Sequence, residues 1–222
     1  WLASPYSDPE TGETCQDCHM PVSEANWFVR EEHGGLTRDH VALSNHTMLG
    51  VTDVEFMQEA VSMETSAQRV RDQIMVQVDI INDNTGHHIP SDSPIRSMML
   101  VVEATDVDGN LLALLDGPVN PDFAGDYGGI PGITFAKVLR DDWTGEMPTA
   151  AFWRPVTIVE DNRIPAMETD SSTYTFAAPA SGDVTVHIRL IFRRAFYDLK
   201  QQKGWDDPDL VMKDTTLIVS AN

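Results

Sequence analysis

Ile74, Val76, Val78 and Ile80 alternate with Met75, Gln77 and Asp79, and this period of two marks a half-buried strand. A second apolar run over residues 98–105 ends at Asp106-Val107-Asp108-Gly109-Asn110, with another short run over 111–115. The five-residue stretch lacks the later glutamate of a calcium loop and lies between two strand runs, so it reads as a hairpin turn. Further strand patterns fall at 133–139, 156–159, 173–176, 184–192 and 215–219. Several strands separated by turns, with few helices between them, predict a mainly β chain built as an antiparallel, immunoglobulin-like β-sandwich.

The remainder departs from this rhythm. Residues 1 to about 50 are rich in Pro, Gly, Asp, Glu and His and show little periodicity, so they lack the apolar positions to bury a core unaided. Thr52-Asp53-Val54-Glu55 reads as a capping box opening a helix near 53–66, with Val54, Met57 and Val61 on one face. The stretch 116–132 is dense in Pro and Gly and reads as a long surface loop. Residues near 193–204 read as a second helix, with Phe196 and Leu199 on one face and Gly204 as its stop. The expected division is a loop-and-helix module over 1–68 and a sandwich over 69–222.

Composition narrows the partners. The 222 residues hold 35 acidic and 15 basic side chains, a formal charge of -20, and a field of that sign repels nucleic acid and anionic membranes. A run of 18 apolar residues, the length a transmembrane helix needs, is nowhere found. The chain starts at Trp1, with no hydrophobic leader ahead of its cysteines, so a processed or truncated polypeptide is expected.

Cys15-Gln16-Asp17-Cys18-His19 names a chemistry. Cys-x-x-Cys-His is the spacing of c-type haem attachment: two thiols one helical turn apart add to the two vinyl groups of one porphyrin, and the adjacent histidine ligates the iron. These are the chain's two cysteines, so one covalent haem c accounts for both, with His19 as the proximal ligand. Two other readings of Cys-x-x-Cys stand beside it. A redox dithiol belongs between a strand and a helix of a βαβ unit, which the pattern here lacks. Zinc needs two further ligands, from histidines or carboxylates.

Trp1-Leu2-Ala3-Ser4-Pro5-Tyr6, followed by Cys15-Gln16-Asp17-Cys18-His19-Met20-Pro21, resembles the last haem segment of secreted multihaem c-type cytochromes. There a W-x-x-S-P element precedes C-Q-x-C-H-M-P. Asn84-Thr85-Gly86-His87-His88-Ile89-Pro90-Ser91 is similar to the G-H-x-x-P-[ST] element of the β-rich domain that follows in those proteins. Asp161-Asn162-Arg163-Ile164-Pro165 resembles their D-x-R-I-P turn. The resemblance implies a secreted, periplasmic or cell-surface location. It departs from the family in one respect, because this chain has one Cys-x-x-Cys-His where those proteins have several.

The sixth iron ligand has to come from elsewhere, since Met20 is tethered beside His19. His33, His40, His46, His87, His88 and Met48 are candidates. His46 is preferred because Asn45-His46-Thr47-Met48-Leu49-Gly50 resembles the S-H-x-x-x-G ligand segment of the same family, and His/His and Met/His ligation are both sound. His87 has two readings, a hydrogen-bonded loop residue or a ligand to this haem or a neighbouring chain's. His187 alternates with Val186 and Ile188 and so points away from the core.

The expected function is an extracytoplasmic electron carrier, not an enzyme, working with other cytochromes or redox proteins and through self-association in a multihaem assembly or filament. The alternative is a non-catalytic assembly subunit whose sandwich docks the partner.

Overall fold

The computed structural model describes residues 1–91 and 93–221, with every side chain in that span except that of His40. The chain forms two compact units, Trp1–Met57 and Gln58–Asn222.

The larger unit is the expected antiparallel β-sandwich. One sheet runs β1 (Ser62–Val70), β2 (Gln73–Ile81), β7 (Thr169–Ala177), β4 (Leu114–Asp116) across its width. The other runs β6 (Val156–Asp161), β5 (Gly132–Asp141), β3 (Ser97–Thr105), β8 (Val184–Arg193), β9 (Leu210–Val219). Every neighbouring pair is antiparallel. The alternation read in the sequence is the cause: Ile74, Val76, Val78 and Ile80 of β2 are fully buried, as are Val184, Val186, Ile188 and Leu190 of β8. Burial of each such side chain is worth about 1.5–3 kcal/mol.

β3 does not alternate. Met98 to Val102 are all buried, because both faces of this central strand are covered. On one of them Met99 and Val101 pack with Ile191 against Ala124, Tyr127 and Ile130 of the 116–132 stretch. That stretch is therefore a packed cover where the sequence led us to expect a surface loop. Asn120, itself buried, staples it down: its Nδ2 donates to Leu100 O (2.9 Å) and its Oδ1 accepts from Thr134 Oγ1 (2.7 Å). Gly and Pro give the backbone its tight path here, and the short 3₁₀ run Asp122–Tyr127 brings Ala124 and Phe123 inward.

Three further expectations change. The helix near 53–66 ends at Glu59: α2 spans Val54–Glu59 and residues 62–70 form β1. Asp53 caps α2, its Oδ1 accepting from Phe56 N (2.9 Å), one residue later than the expected box. β1 is an edge strand of mostly polar residues, paired through the Arg71-Asp72 turn with β2, and its mixed composition hides a period of two from view. The second helix, α3, begins at Tyr197 and runs to Lys203; Arg193 instead closes β8 as a buried cation. Finally, the Asp106–Asn110 turn forms, held by Asp106 Oδ1 accepting from Asp108 N and Asn110 N (2.9 Å each). The chain beyond it leaves after one bridge, Thr105 with Leu111, and crosses to pair β4 with β7 of the other sheet.

Candidate haem site

The Trp1–Met57 unit is held by turns. Trp1 Nε1 donates to Glu13 O (2.9 Å) and Glu13 N to Tyr6 O (3.1 Å), which folds the first residues back on the chain just before the cysteines. Gly12 is required there: a Cβ would strike the carbonyl oxygens of Tyr6 and Asp8. The two N-terminal elements read from the sequence thus form one local structure.

α1 is Cys15–His19, a helix of five residues. So short a helix is not stable by propensity alone, and its N-terminus carries a full capping box. Asp17 N donates to Thr14 Oγ1 (3.4 Å), and Thr14 N donates to Asp17 Oδ2 (2.7 Å). Those backbone and hydroxyl hydrogen bonds from Thr14 hold the exposed Asp17 carboxyl below its ordinary range. The box fixes Cys15 and Cys18 one turn apart, and both are free, exposed thiols.

Cys18 Sγ donates to Glu13 Oε2 (3.4 Å). Partial burial of the sulfur, that hydrogen bond and the neighbouring carboxylates push its pKa up to about 11. A dithiol poised for disulfide exchange is shifted the other way, toward the thiolate.

His19 is oriented from behind. Its Nδ1–H donates to Leu49 O (2.6 Å), and Leu49 N donates back to His19 O (2.9 Å). A carbonyl oxygen only accepts, so in the neutral ring the proton sits on Nδ1 and the lone pair on Nε2, the arrangement a metal-ligating histidine uses. The Phe56 ring lies 5.2 Å from the imidazole, tilted by 59°. The segment that supplies Leu49 runs antiparallel to the residues following His19. Ser23 N donates to Leu43 O (2.6 Å), Val22 bridges Ser44, and Asn45 N donates to Pro21 O (2.9 Å).

His46 is carried on that same segment, exposed at the tip of a turn in which Asn45 Oδ1 accepts from Thr47 N (3.2 Å) and Thr47 Oγ1 (2.6 Å). Met48 is exposed and left-handed. His33 is exposed beside Glu32 (3.8 Å). The side chain of His40 lies outside the described residues.

His87 and His88 belong to the other unit, both exposed on the loop after β2. His87 Nδ1–H donates to His88 O (3.0 Å). The loop is pinned by Asn82, fully buried, whose Nδ2 donates to His87 O and Ile164 O (2.9 Å each). Ile89 pairs with Ile164, so the G-H-x-x-P and D-x-R-I-P elements meet. His187 Nε2–H donates to Asp214 Oδ1 (2.8 Å) on the outer face of the sheet.

Among the described residues, no three of His, Cys, Asp and Glu are gathered as a metal site, so the further ligands that zinc needs do not converge on the cysteines there. The apolar side chains speak to a larger group. Leu43 and Met57 are buried hydrophobics in this unit, whereas Val22, Trp27, Phe28, Leu36, Val41 and Met48 stand exposed. The donor set and the surplus of apolar surface fit a covalent haem.

Sequence reasoning missed Leu49, Thr14 and Asn82. Thr14-x-x-Asp17 is a legible capping box, and so a signal was available. The role of Leu49 resides in its backbone carbonyl, which the side chain does not advertise.

No protein-family model matches this chain, and no curated protein matches it. Among solved structures, a penta-haem cytochrome c552 from Thermochromatium tepidum matches with a TM-score of 0.64 over 92% of this chain at 20% identity. The likeness is one of fold. The chain spans about half of that cytochrome, 47% of its length. A PapD-like domain of human CEP192 (TM-score 0.29, 6% identity, 80% of this chain and 96% of that one) also matches. So does a collagen-binding domain of a Staphylococcus aureus adhesin (0.27, 9%, 72% and 97%). At those scores neither bears on function.

Proposed function

We propose that this protein is an extracytoplasmic c-type cytochrome that carries one covalent haem and transfers electrons without catalysing a reaction of its own. The observation that carries the proposal is the capped Cys15–His19 helix with His19 Nδ1 donating to Leu49 O. Cys15 and Cys18 hold the group through thioethers, and a bound haem supplies one-electron iron chemistry.

The chain's own residues do the rest. The Thr14–Asp17 box sets the spacing of the thiols. Leu49 O fixes the imidazole's tautomer and orientation, as outer hydrogen bonds to ligating histidines do. Phe56 packs on the ring. His46 is the proposed sixth ligand, its turn joined through Leu49 to the proximal histidine. His87 is held in reserve as a ligand within this chain or to a neighbouring one, its backbone fixed by Asn82. The partners are other cytochromes or redox proteins, met within a multihaem assembly built by self-association. A lone haem held by Cys15, Cys18 and His19 would supply one-electron exchange there, and a relay would need a second haem close by.

Mass spectrometry under denaturing conditions tests the attachment: the expected mass is the chain plus one haem, and a bare polypeptide with two free thiols overturns it. His46→Ala should move the reduced and oxidised spectra toward high spin and open the iron to carbon monoxide. If His46→Ala is silent and His87→Ala has that effect, the ligand is His87. Fractionation of cells should place the haem protein outside the cytoplasm.

A further inference from the structure

The β5–β6 hairpin carries a concentration of exposed apolar side chains unlike the rest of the sandwich. Trp143 (72% exposed), Phe152 (67%) and Trp153 (69%) stand out of its connecting loop, with Met147, Ile158 and Val159 also exposed on the same hairpin. Elsewhere on the sandwich, exposed hydrophobics are mostly aliphatic and sparser, such as Val107 and Leu111 in the β3–β4 connection and Ile218 in β9.

This loop is not slack. The Asp141 side chain is buried and accepts from Trp143 N (2.8 Å), Thr144 N (3.2 Å) and Arg154 Nη1 (2.8 Å). Thr149 and Ala151 are buried, with Thr149 N donating to Leu139 O and Ala151 N to Thr149 Oγ1. The Arg154 guanidinium lies over Trp143 at 5.9 Å, and the rings of Phe152 and Trp153 meet edge to face at 5.3 Å. The aromatic side chains are thus presented by a pre-organised frame, which lowers the entropic cost of contact.

The charge around them selects the occupant. Residues 137–163 hold four basic residues (Lys137, Arg140, Arg154, Arg163) and five acidic ones (Asp141, Asp142, Glu146, Glu160, Asp161), a net of -1 in a chain of -20. Three of those cations pair within the hairpin, Arg154 with Asp141, Arg140 with Asp142 and Arg163 with Asp161. Two copies of so acidic a protein repel over most of their surface, and this near-neutral apolar hairpin is where that repulsion is least. We infer that it is a self-association surface, meeting the same hairpin of a second copy across a two-fold axis, since one patch used twice closes a dimer.

The exposed aromatics offer on the order of 500 Å² per copy. That is below the roughly 800 Å² per partner of stable complexes and in the range of weak, reversible ones. The inference deepens the assembly part of the proposed function and rests on it only in requiring that copies meet; it does not need the haem.

Sedimentation of the full chain across micromolar to millimolar concentration tests it, with salt raised from about 0.01 M to about 1 M so that the screening length falls from about 30 Å to about 3 Å. The expected result is a concentration-dependent dimer that strengthens with salt, accompanied by a blue shift of tryptophan emission. Phe152→Ser with Trp153→Ser should weaken it at least tenfold, while Val107→Ser with Leu111→Ser leaves it unchanged. Trp153→Lys, a single exposed change, repeats the test should the double variant misfold.

A monomer under every condition, or a dimer indifferent to the Phe152 and Trp153 changes, overturns the inference. So does a monomer that sediments with zwitterionic lipid vesicles, which would assign the hairpin to a membrane. Haem is read separately by mass: a dimer without haem refutes the cytochrome proposal alone, and a monomer with one haem refutes this inference and the self-association it deepens while leaving the haem reading in place.

Discussion

Between the Trp1–Met57 unit and the Gln58–Asn222 unit, the difference lies in where the large apolar side chains go. In the sandwich Ile74, Leu100, Phe135, Tyr174, Ile188 and Phe192 are all buried by strands facing strands. The smaller unit is fastened by turns and caps, and Trp27, Phe28, Leu36 and Val41 remain exposed around a small buried set. A chain of about 60 residues is marginal even with a good core, and one that buries so few large apolar side chains gains much from a metal, a cross-link or a bound group. The comparison teaches that one polypeptide can reach order by two routes, one through a core of facing strands and one through turns and caps that leave large apolar side chains exposed, where the proposed haem would cover them.

The change with the largest expected effect is Cys15→Ala with Cys18→Ala. Without the proposed covalent attachment the smaller unit should lose its order while the sandwich keeps its own. Hydrogen exchange should show amides over residues 1–57 exchanging at near-unfolded rates, with β2, β3 and β8 still protected. Amides of the smaller unit as well protected as in the parent would break the comparison.

Arg193→Met probes the other route. The guanidinium is 3% exposed, bonds Asp209 through Nε and Nη2 (3.0 and 2.7 Å), donates to Ala124 O (2.7 Å) and lies between the rings of Tyr127 and Tyr197. Its loss leaves the Asp209 carboxylate with only the longer Lys200 Nζ contact (3.9 Å) and releases the packed loop, at a cost of about 3 kcal/mol. The Tm of the sandwich should fall by roughly 10 °C, with the haem spectrum unchanged.

Asn82→Ala should be milder, about 1–2 kcal/mol, because His87 O and Ile164 O keep one other donor each, Thr85 Oγ1 and Ile89 N. Proteolysis of the 83–90 loop, faster than in the parent, is the readout.

Acid titration distinguishes the units more finely. Asp17 in the smaller unit, and Asp106 and Asp161 in the sandwich, are held below the ordinary carboxylate range by hydrogen bonds from Thr14, Asn110 and Arg163 respectively. In each case the unfolded chain binds the proton more readily. The stability they contribute is therefore present above about pH 4 and lost as pH falls through their folded values. Asp170 has the opposite sign. Burial, then the charge of Asp79, raises its pKa, and its Oδ1 is buried without a hydrogen-bond partner in the structure. Its ionised form opposes folding, so Asp170→Asn should stabilise the sandwich at neutral pH by about 1 kcal/mol or less, seen as a small rise in Tm.

Much of this was legible in the residues themselves. The alternation in β2 and β8, the continuous run in β3 and the Cys-x-x-Cys-His spacing are local patterns, and local patterns survive because a strand's two faces and a helix's turn are set by neighbours in sequence. The sequence pattern overruns the end of α2 because β1, polar and at an edge, has no strong period to stop it.

What only the tertiary structure decided depends on residues far apart. Leu49 reaches His19 across thirty positions through a carbonyl that every residue type possesses. Asn82 meets Ile164, Arg193 meets Asp209 and Ala124, and Asn120 turns a Gly- and Pro-rich stretch into a cover for β3. Periodicity specifies which face of an element is buried. It does not specify which distant backbone group or charge will be brought against it, because that is set by how the strands are ordered in the sheets and not by the run of any one of them.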